Sequence, residues 1–205
     1  MAIQAFKNVT PGAKLALVNN KLGNPALKKN QGSTFEVYDY IDVTSTIGTQ
    51  QVLRFFESVN TKTFPFTNVQ QNQLQVGEAL AIEYIALTRL EVSVTPGSPD
   101  KLTAQSSLLS VTGLSLSQFS LLLDNSRILK TNSLTRANSP FNPKGGTATN
   151  NLFYPDTDLT IPPQISFAAE LNLPANSDTA GEGKKVFYGC HLFGTGSILN
   201  LKTNV

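Results

Sequence analysis

Apolar and polar residues alternate along much of this chain, which is the pattern of β-strands that bury one face. Residues 34–44 follow it, with Asp39 as the one exception on the apolar face. The apolar face carries Phe35, Val37, Ile41 and Val43, and the opposite face carries Glu36, Tyr38, Tyr40 and Asp42. The alternation predicts a strand over residues 34–44.

Residues 77–94 form a long apolar stretch whose period is ambiguous. Leu80, Ile82 and Tyr84 follow a period of two, but residues 79–87 also fit two helical turns. We favour strands because β-branched and aromatic residues recur, and because Pro and Gly at positions 96 and 97 end the stretch with a turn.

Turn-forming residues separate the other candidate strands. Asp124, Asn125 and Ser126 lie between two apolar runs and predict a hairpin of residues 119–123 with 127–130. The remaining predicted strands cover residues 51–59, 102–112, 159–173 and a final strand pair within 186–202, placed around Gly194 and Gly196. In residues 159–173 the predicted buried face is Ile165, Phe167, Ala169, Leu171 and Leu173. Residues 114–118 are typical of a short helical turn, and residues 138–154 of a long functional loop.

About eight strands separated by turns, without a repeat of fixed period, predict an all-β fold. The length of 205 residues fits one such domain. We therefore predict a single jelly roll or β-sandwich over residues 34–205. Residues 1–33 contain scattered Pro and Gly, and we predict that they form a largely extended N-terminal arm.

Charge is distributed unevenly between this arm and the rest of the chain. The arm carries Lys7, Lys14, Lys21, Lys28 and Lys29, and the first acidic residue is Glu36. The remaining residues carry eleven Lys and Arg against fourteen Asp and Glu, so the net charge of +2 hides a basic arm on a mildly acidic body. A basic arm indicates an anionic partner, such as a nucleic-acid backbone. A solvated terminus that keeps the protein soluble is the alternative.

Only 15% of the residues are charged, and Asn, Gln, Ser and Thr are abundant. A neutral polar surface avoids the cost of desolvating ions, so neighbouring subunits can cover it. The same composition also fits a loop-rich β protein, because these residues serve turns and strand faces.

Catalytic chemistry has few candidate residues. The single histidine, His191, follows the single cysteine, Cys190, and adjacent side chains on a strand point to opposite faces. They therefore cannot act as a nucleophile and its base. We predict a structural or interface role for His191, a buried position for Cys190, and no enzymatic activity. The alternative is an enzyme in which Glu83 and either Glu78 or Glu91 form the acid pair for glycoside hydrolysis.

Metal and cofactor motifs are weak. Asp156 and Asp158 could bind Ca²⁺ together with a carbonyl, but a solvated turn beside Pro155 fits them as well. The glycines of residues 181–185 and 194–196 lack the spacing of phosphate- or dinucleotide-binding motifs and are predicted to form turns. We therefore predict no bound cofactor or metal, and leave the calcium question open.

One cysteine excludes an internal disulfide, and the first residues lack the apolar core of a secretory signal. No apolar stretch reaches the length of a membrane-spanning helix. We expect the protein to fold in a reducing cytoplasm, which it could leave as part of a particle.

The order of elements resembles that of jelly-roll capsid proteins of small tailless icosahedral bacteriophages. The similar segments are the basic arm, NQLQVGEALAIEYIAL, the hairpin LLLDNSRILK, the loop ending in NNLFYPDTDLTIPPQISFAAELNLP, and the closing VFYGCHLFGTGSILNLK. The resemblance implies a single jelly roll that self-assembles with other capsid subunits into a virion in the host cytoplasm, with an arm that contacts neighbours or the genome. The chain is too short for a double jelly roll, which leaves a shell subunit or a vertex (penton) protein.

A carbohydrate-binding or receptor-binding module is the alternative function, because jelly rolls also build lectins. Its candidate residues are the five tyrosines, with Asp156 and Asp158 as a metal site. The absence of Trp, the largest platform for stacking a sugar, weighs against it. The basic arm also has no evident task in such a module.

Overall fold

Residues 31–94, 100–108, 117–131, 152–155 and 157–198 are described in a computed structural model, and they form an all-β structure. The strands are β1 (Gln31–Asp42), β2 (Gln51–Phe55), β3 (Ala79–Ser93), β4 (Lys101–Ser107), β5 (Gln118–Leu123), β6 (Ser126–Thr131), β7 (Leu152–Phe153), β8 (Leu159–Ile161), β9 (Phe167–Leu173) and β10 (Lys184–Ile198). A 3₁₀ turn covers Val59–Thr61. No helix in the described part of the chain is both long and apolar enough to cross a membrane.

The strands form two antiparallel sheets that are consistent with a β-sandwich. The larger sheet has the order β1-β10-β3-β4, and the short strands β7 and β8 also pair with β3. The smaller sheet has the order β2-β9-β5-β6. The prediction of an all-β fold is therefore confirmed, and the two sheets are consistent with the predicted β-sandwich.

One main hydrophobic core holds the two sheets together. Its largest fully buried side chains include Tyr188, Phe55, Phe56, Phe119 and Phe167. Each such ring contributes about 1.5–3 kcal/mol by leaving water. Within residues 77–94, where a strand was favoured over two helical turns, the structure has the single strand β3 (Ala79–Ser93), so the favoured prediction is confirmed. The first four residues of β3 are all buried.

The predicted hairpin is confirmed. β5 and β6 pair on either side of Asp124 and Asn125, whose φ angles are 47° and 60°. Two consecutive positive φ values are those of a type I′ turn, which Asp and Asn tolerate better than most residues. The predicted helical turn at 114–118 and the loop at 138–154 lie mostly outside the described residues.

The end of the chain differs from the prediction. Residues 186–202 were expected to form a strand pair around Gly194 and Gly196, but β10 is one continuous strand. Its register with β3 shifts between Phe193, which pairs with Tyr84, and Gly194, which pairs with Ile82, so the extra residue lies on β3. A Cβ on Gly194 would lie 1.9 Å from the carbonyl oxygen of Ala81 on β3. Glycine is therefore needed there for close packing of two strands, and not for a turn.

Two smaller differences concern strand ends. Ile165, predicted on the buried face with Phe167, is 36% exposed because β9 begins only at Phe167. β1 begins at Gln31, three residues earlier than the strand predicted from sequence.

Residues 1–30, with all five lysines of the arm, lie outside the described residues.

Asp39, the exception on the apolar face of β1, is fully buried. Its carboxylate accepts two hydrogen bonds from Lys62 Nζ, at 2.7 and 2.8 Å, and one from the backbone N–H of Phe56 at 2.8 Å. Phe56 has a positive φ of 69°, an uncommon conformation for a bulky residue. The carboxylate thus ties β1 to the segment that follows β2 and holds a strained backbone there.

A second ionic network links β3 to β10 and the loop before it. Arg89 donates to Asp178 and to Glu91 at 2.7 Å, and Tyr188 donates to Asp178 at 2.6 Å. Lys184 Nζ donates to Glu91 at 2.7 Å. Hydrogen bonds from Lys184 and Arg89 lower the pKa of Glu91. Burial and the neighbouring Asp178 raise the pKa of Tyr188 well above its usual value.

The Glu91→Gln substitution should cost about 1 kcal/mol of unfolding free energy at neutral pH, since it removes two ionic hydrogen bonds. A carboxyl whose pKa is lowered in the folded state stabilises above its usual pKa, and that contribution is lost as the pH falls through the lowered value. Urea unfolding across a pH series should therefore show the difference shrinking in acid. The exposed Glu182→Gln serves as control, and a deficit that persists unchanged in acid would contradict this account.

Candidate functional site

The outer face of the larger sheet carries a cluster of aromatic rings. The register of β1, β10 and β3 places three rows of residues side by side on it: Glu36–Phe193–Tyr84, Tyr38–His191–Ala86 and Tyr40–Gly189–Thr88. We call these nine residues the aromatic face. They come together because every second residue of a strand points to the same side.

His191 lies at the centre of the aromatic face and is hydrogen-bonded on both sides. Its Nδ1 is 2.7 Å from Glu36 Oε1, and its Nε2 is 2.8 Å from the Tyr40 hydroxyl and 3.2 Å from Thr88 Oγ1. The Tyr38 ring stacks on the imidazole with centroids 5.4 Å apart. All three strands are therefore joined through one imidazole.

The direction of these hydrogen bonds follows from the groups involved. An ionised carboxylate only accepts, so His191 Nδ1 carries the proton that is donated to Glu36. When the ring carries this proton alone, Nε2 accepts from the Tyr40 hydroxyl, and the Thr88 hydroxyl donates to the Tyr40 oxygen at 3.2 Å. Every polar atom of His191 is thus satisfied.

Gly189 makes this arrangement possible. A Cβ at this position would lie 2.3 Å from the Tyr40 ring and 2.6 Å from Thr88 Oγ1. Because Gly189 has no Cβ, the Tyr40 ring can lie across β10, and its hydroxyl reaches Thr88 on β3. Burial raises the pKa of Tyr40, which keeps the phenol neutral and able to donate.

The order carboxylate, imidazole, hydroxyl is also that of a nucleophile-activating relay. Tyr40, however, is only 6% exposed, and its raised pKa is opposite to what activation requires. The contacts therefore fit a histidine that fastens three strands together. Cys190 lies on the opposite, core-facing side and is fully buried, as predicted, and burial raises the pKa of its thiol.

Gly189→Ala should destabilise the protein by about 1–3 kcal/mol, because the added methyl group displaces Tyr40 and breaks its two hydrogen bonds. A loss of stability would be informative, because replacing Gly by Ala in the middle of a strand normally stabilises a protein. Tyr40→Phe, which keeps the ring and removes only the hydroxyl, should cost less. Urea unfolding of both variants is the measurement, and unchanged stability of Gly189→Ala would contradict the packing described.

A second group of rings lies at the Glu36 end of the aromatic face. Tyr84 stacks on Phe193 with centroids 4.6 Å apart, and its centroid lies 6.0 Å from that of Tyr154. Beside them, the Thr195 hydroxyl donates to Glu83 at 2.9 Å. The sheet therefore presents partly exposed rings next to two carboxylates, Glu36 and Glu83.

The structure divides the tyrosines proposed for sugar binding. Tyr38 and Tyr84 lie partly exposed on the aromatic face, and Tyr154 touches Tyr84. Tyr40 belongs to the aromatic face but is only 6% exposed, and Tyr188 lies in the core. These contacts could not be predicted from sequence spacing.

The structure keeps Glu83 and Glu91, proposed as an acid pair, far apart. Glu83 and Glu91 lie eight residues apart on β3, which is about 26 Å at roughly 3.3 Å per residue; a glycosidase pair needs about 5–10 Å. Asp158 is exposed, and Asp156 lies outside the described residues. Among the residues that the structure describes, no group of three or more His, Cys, Asp or Glu could hold a metal.

The smaller sheet carries a shallow, open depression of about 570 Å³. Side-chain amides dominate its polar lining, and the residues around it are Gln50, Gln51, Val52, Gln118, Asn172, Leu173, Pro174 and Ala175. It holds no aromatic or charged residue, so it lacks the groups that usually fix a ligand.

No protein-family model matches this sequence, and no curated protein matches it either.

Proposed function

We propose that this protein is a structural virion protein: a single jelly roll that self-assembles as a shell or vertex subunit of a capsid. Its N-terminal arm would contact neighbouring subunits or the genome. The site of assembly would be the host cytoplasm, and the final location the virion. No catalytic step is part of this proposal.

The observation that carries the proposal is the nested pairing of strands. The first strand pairs with the last (β1 with β10), β2 with β9, β3 with β8, and β5 with β6. Such nested antiparallel pairs arise when one long hairpin rolls up into two sheets, which is the jelly-roll architecture. Because unrelated functions share this fold, the pairing supports the capsid reading only together with the surface of the protein.

Phe64 supports assembly, since its side chain is 82% exposed. The turn that presents it is held by a 2.9 Å hydrogen bond from Phe66 N–H to the Thr63 carbonyl. Lys62, just before the turn, is tied to Asp39, and Tyr40 N–H donates to the Phe66 carbonyl at 2.8 Å. An exposed aromatic side chain on an ordered backbone turn is a typical anchor of protein interfaces, because little backbone entropy is lost when it binds.

The basic arm supports a role in contact with neighbours or nucleic acid. If all five of its lysines met phosphates of single-stranded nucleic acid, log K would fall with log salt at a slope of about 3–4. The arm lacks Arg, and Phe6 is its only aromatic residue, so base-specific recognition is not expected.

Deletion of residues 1–30 tests this proposal, because it removes the arm and leaves β1 complete. The truncated protein should keep the circular dichroism of a β-sandwich but lose assembly or bound nucleic acid. A full-length variant with all five arm lysines changed to Gln is the matched control for charge. Assembly and nucleic-acid retention equal to those of the intact chain would contradict the role of the arm.

A carbohydrate-binding module is the second candidate, favoured by the partly exposed Tyr38, Tyr84 and Phe193 rings beside the Glu36 carboxylate. A glycan array with the intact protein tests it. Specific sugar binding that is lost in Tyr84→Ala would favour this function over the capsid subunit.

A further inference from the structure

We propose that the aromatic face receives the lysine-rich leader, residues 1–30, of a second copy of this chain. The inference rests on the proposed function and names the surface to which the arm binds. It depends on the chemistry of the described face, on the charge of the leader, and on the reach of the chain between them.

The face has the groups that bind an ammonium ion. The carboxylates of Glu36 and Glu83 stand beside the rings of Tyr84, Phe193 and Tyr38, and the Glu36 side chain is 41% exposed. A lysine head can pair with a carboxylate while its stem or its charge lies against a ring. Outward-facing rings of this kind, on one side of a sheet, are typical of a contact surface.

The Glu36 carboxylate acts electrostatically on the tyrosine rings around it. Burial is the main cause that raises the pKa of Tyr38 and Tyr84, and the Glu36 carboxylate raises both further. A cation bound between these rings would therefore be stabilised by the same carboxylate.

The leader has the complementary charge. It carries five lysines and no acidic residue, and four of them recur every seventh position, at Lys7, Lys14, Lys21 and Lys28. No acidic side chain within the leader can therefore pair with its lysines, and these lysines are spaced widely enough to bind separate sites.

The reach of the chain disfavours only the last two lysines of the same copy. Lys28 and Lys29 precede β1 by only two or three residues, whereas Glu36 lies five residues inside that strand. At roughly 3.3 Å per residue the strand carries Glu36 about 17 Å away from its start. Lys28 and Lys29 of the same chain could reach it only by an immediate reversal, whereas Lys7, Lys14 and Lys21 have enough chain to reach it from the same copy or from another. The second copy follows from the proposed self-assembly, and the trapping experiment below separates the two cases.

Disulfide trapping between intact chains tests the inference. One population carries Ala13→Cys in the leader, and a second, differently tagged population carries Ala86→Cys in the middle row of the aromatic face. The native Cys190 is fully buried and so does not compete. The matched control is Val52→Cys, which lies on the smaller sheet and is 55% exposed.

We expect several-fold more mixed disulfide with Ala86→Cys than with Val52→Cys. The yield should fall in high salt and when Glu36→Gln is added, because both weaken the attraction of lysine. Equal trapping at both positions, no trapping at Ala86→Cys, or trapping only within one chain of an Ala13→Cys/Ala86→Cys double variant would overturn the inference. Oligomers of the unmodified chain without trapping would leave the capsid proposal intact, whereas a strict monomer would remove the capsid proposal itself.

Discussion

Asp39→Ala is expected to reduce the free energy of unfolding by about 3–5 kcal/mol. The Asp39 carboxylate is fully buried, and its loss leaves the Lys62 ammonium, itself only 19% exposed, without its partner. The same change removes the acceptor for the Phe56 N–H, whose backbone is held at positive φ. Urea unfolding of the variant beside the natural chain gives the value.

A double-mutant cycle with Lys62→Met separates the ion pair from the cavity left by Ala. Because Asp39→Ala/Lys62→Met leaves no buried charge unpaired, the double variant should be more stable than the sum of the single effects predicts. Strictly additive effects would mean that the two side chains do not interact in the folded protein.

Gly194→Ala is expected to destabilise the protein by about 3 kcal/mol or more, or to prevent folding. The new Cβ would lie 1.9 Å from the Ala81 carbonyl oxygen and 2.9 Å from the Glu83 backbone nitrogen. Both are backbone atoms of β3, so the clash cannot be relieved by rotating a side chain. The pairing of β3 with β10, at the centre of the larger sheet, would have to shift.

Gly183→Ala provides the comparison. This glycine has a positive φ of 67°, and its Cβ would meet no atom within 4 Å. Its replacement should therefore cost only the strain of the backbone conformation, about 1–2 kcal/mol. If thermal and urea unfolding showed Gly194→Ala to be no more harmful than Gly183→Ala, the close approach of β10 to β3 would be wrong.

Sequence patterns predicted much of the fold because they depend on local physics. The alternation of residues 34–44 reflects the two faces of β1, and Asp124 and Asn125 form the expected turn because few other residues tolerate positive φ. The ambiguity of residues 77–94 was resolved by the pairing of β3 with β7, β8 and β10, which lie far from it in sequence, and no local pattern contains that pairing.

The candidate site was much less predictable, since its contacts join residues far apart in sequence. His191 lies 155 positions from Glu36, and only the register of β1 with β10 brings them together. Gly189 gives no sign in the sequence that a tyrosine of another strand lies over it. Gly194 was taken for a turn residue for the same reason, because the strand that approaches it is not its neighbour in the chain.

Light scattering coupled to size exclusion over a range of concentrations, with negative-stain images of each peak, tests the capsid proposal most directly. We expect discrete pentamers, hexamers or closed shells of the intact chain. A strict monomer at every concentration, without particles in any fraction, would contradict a self-assembling subunit.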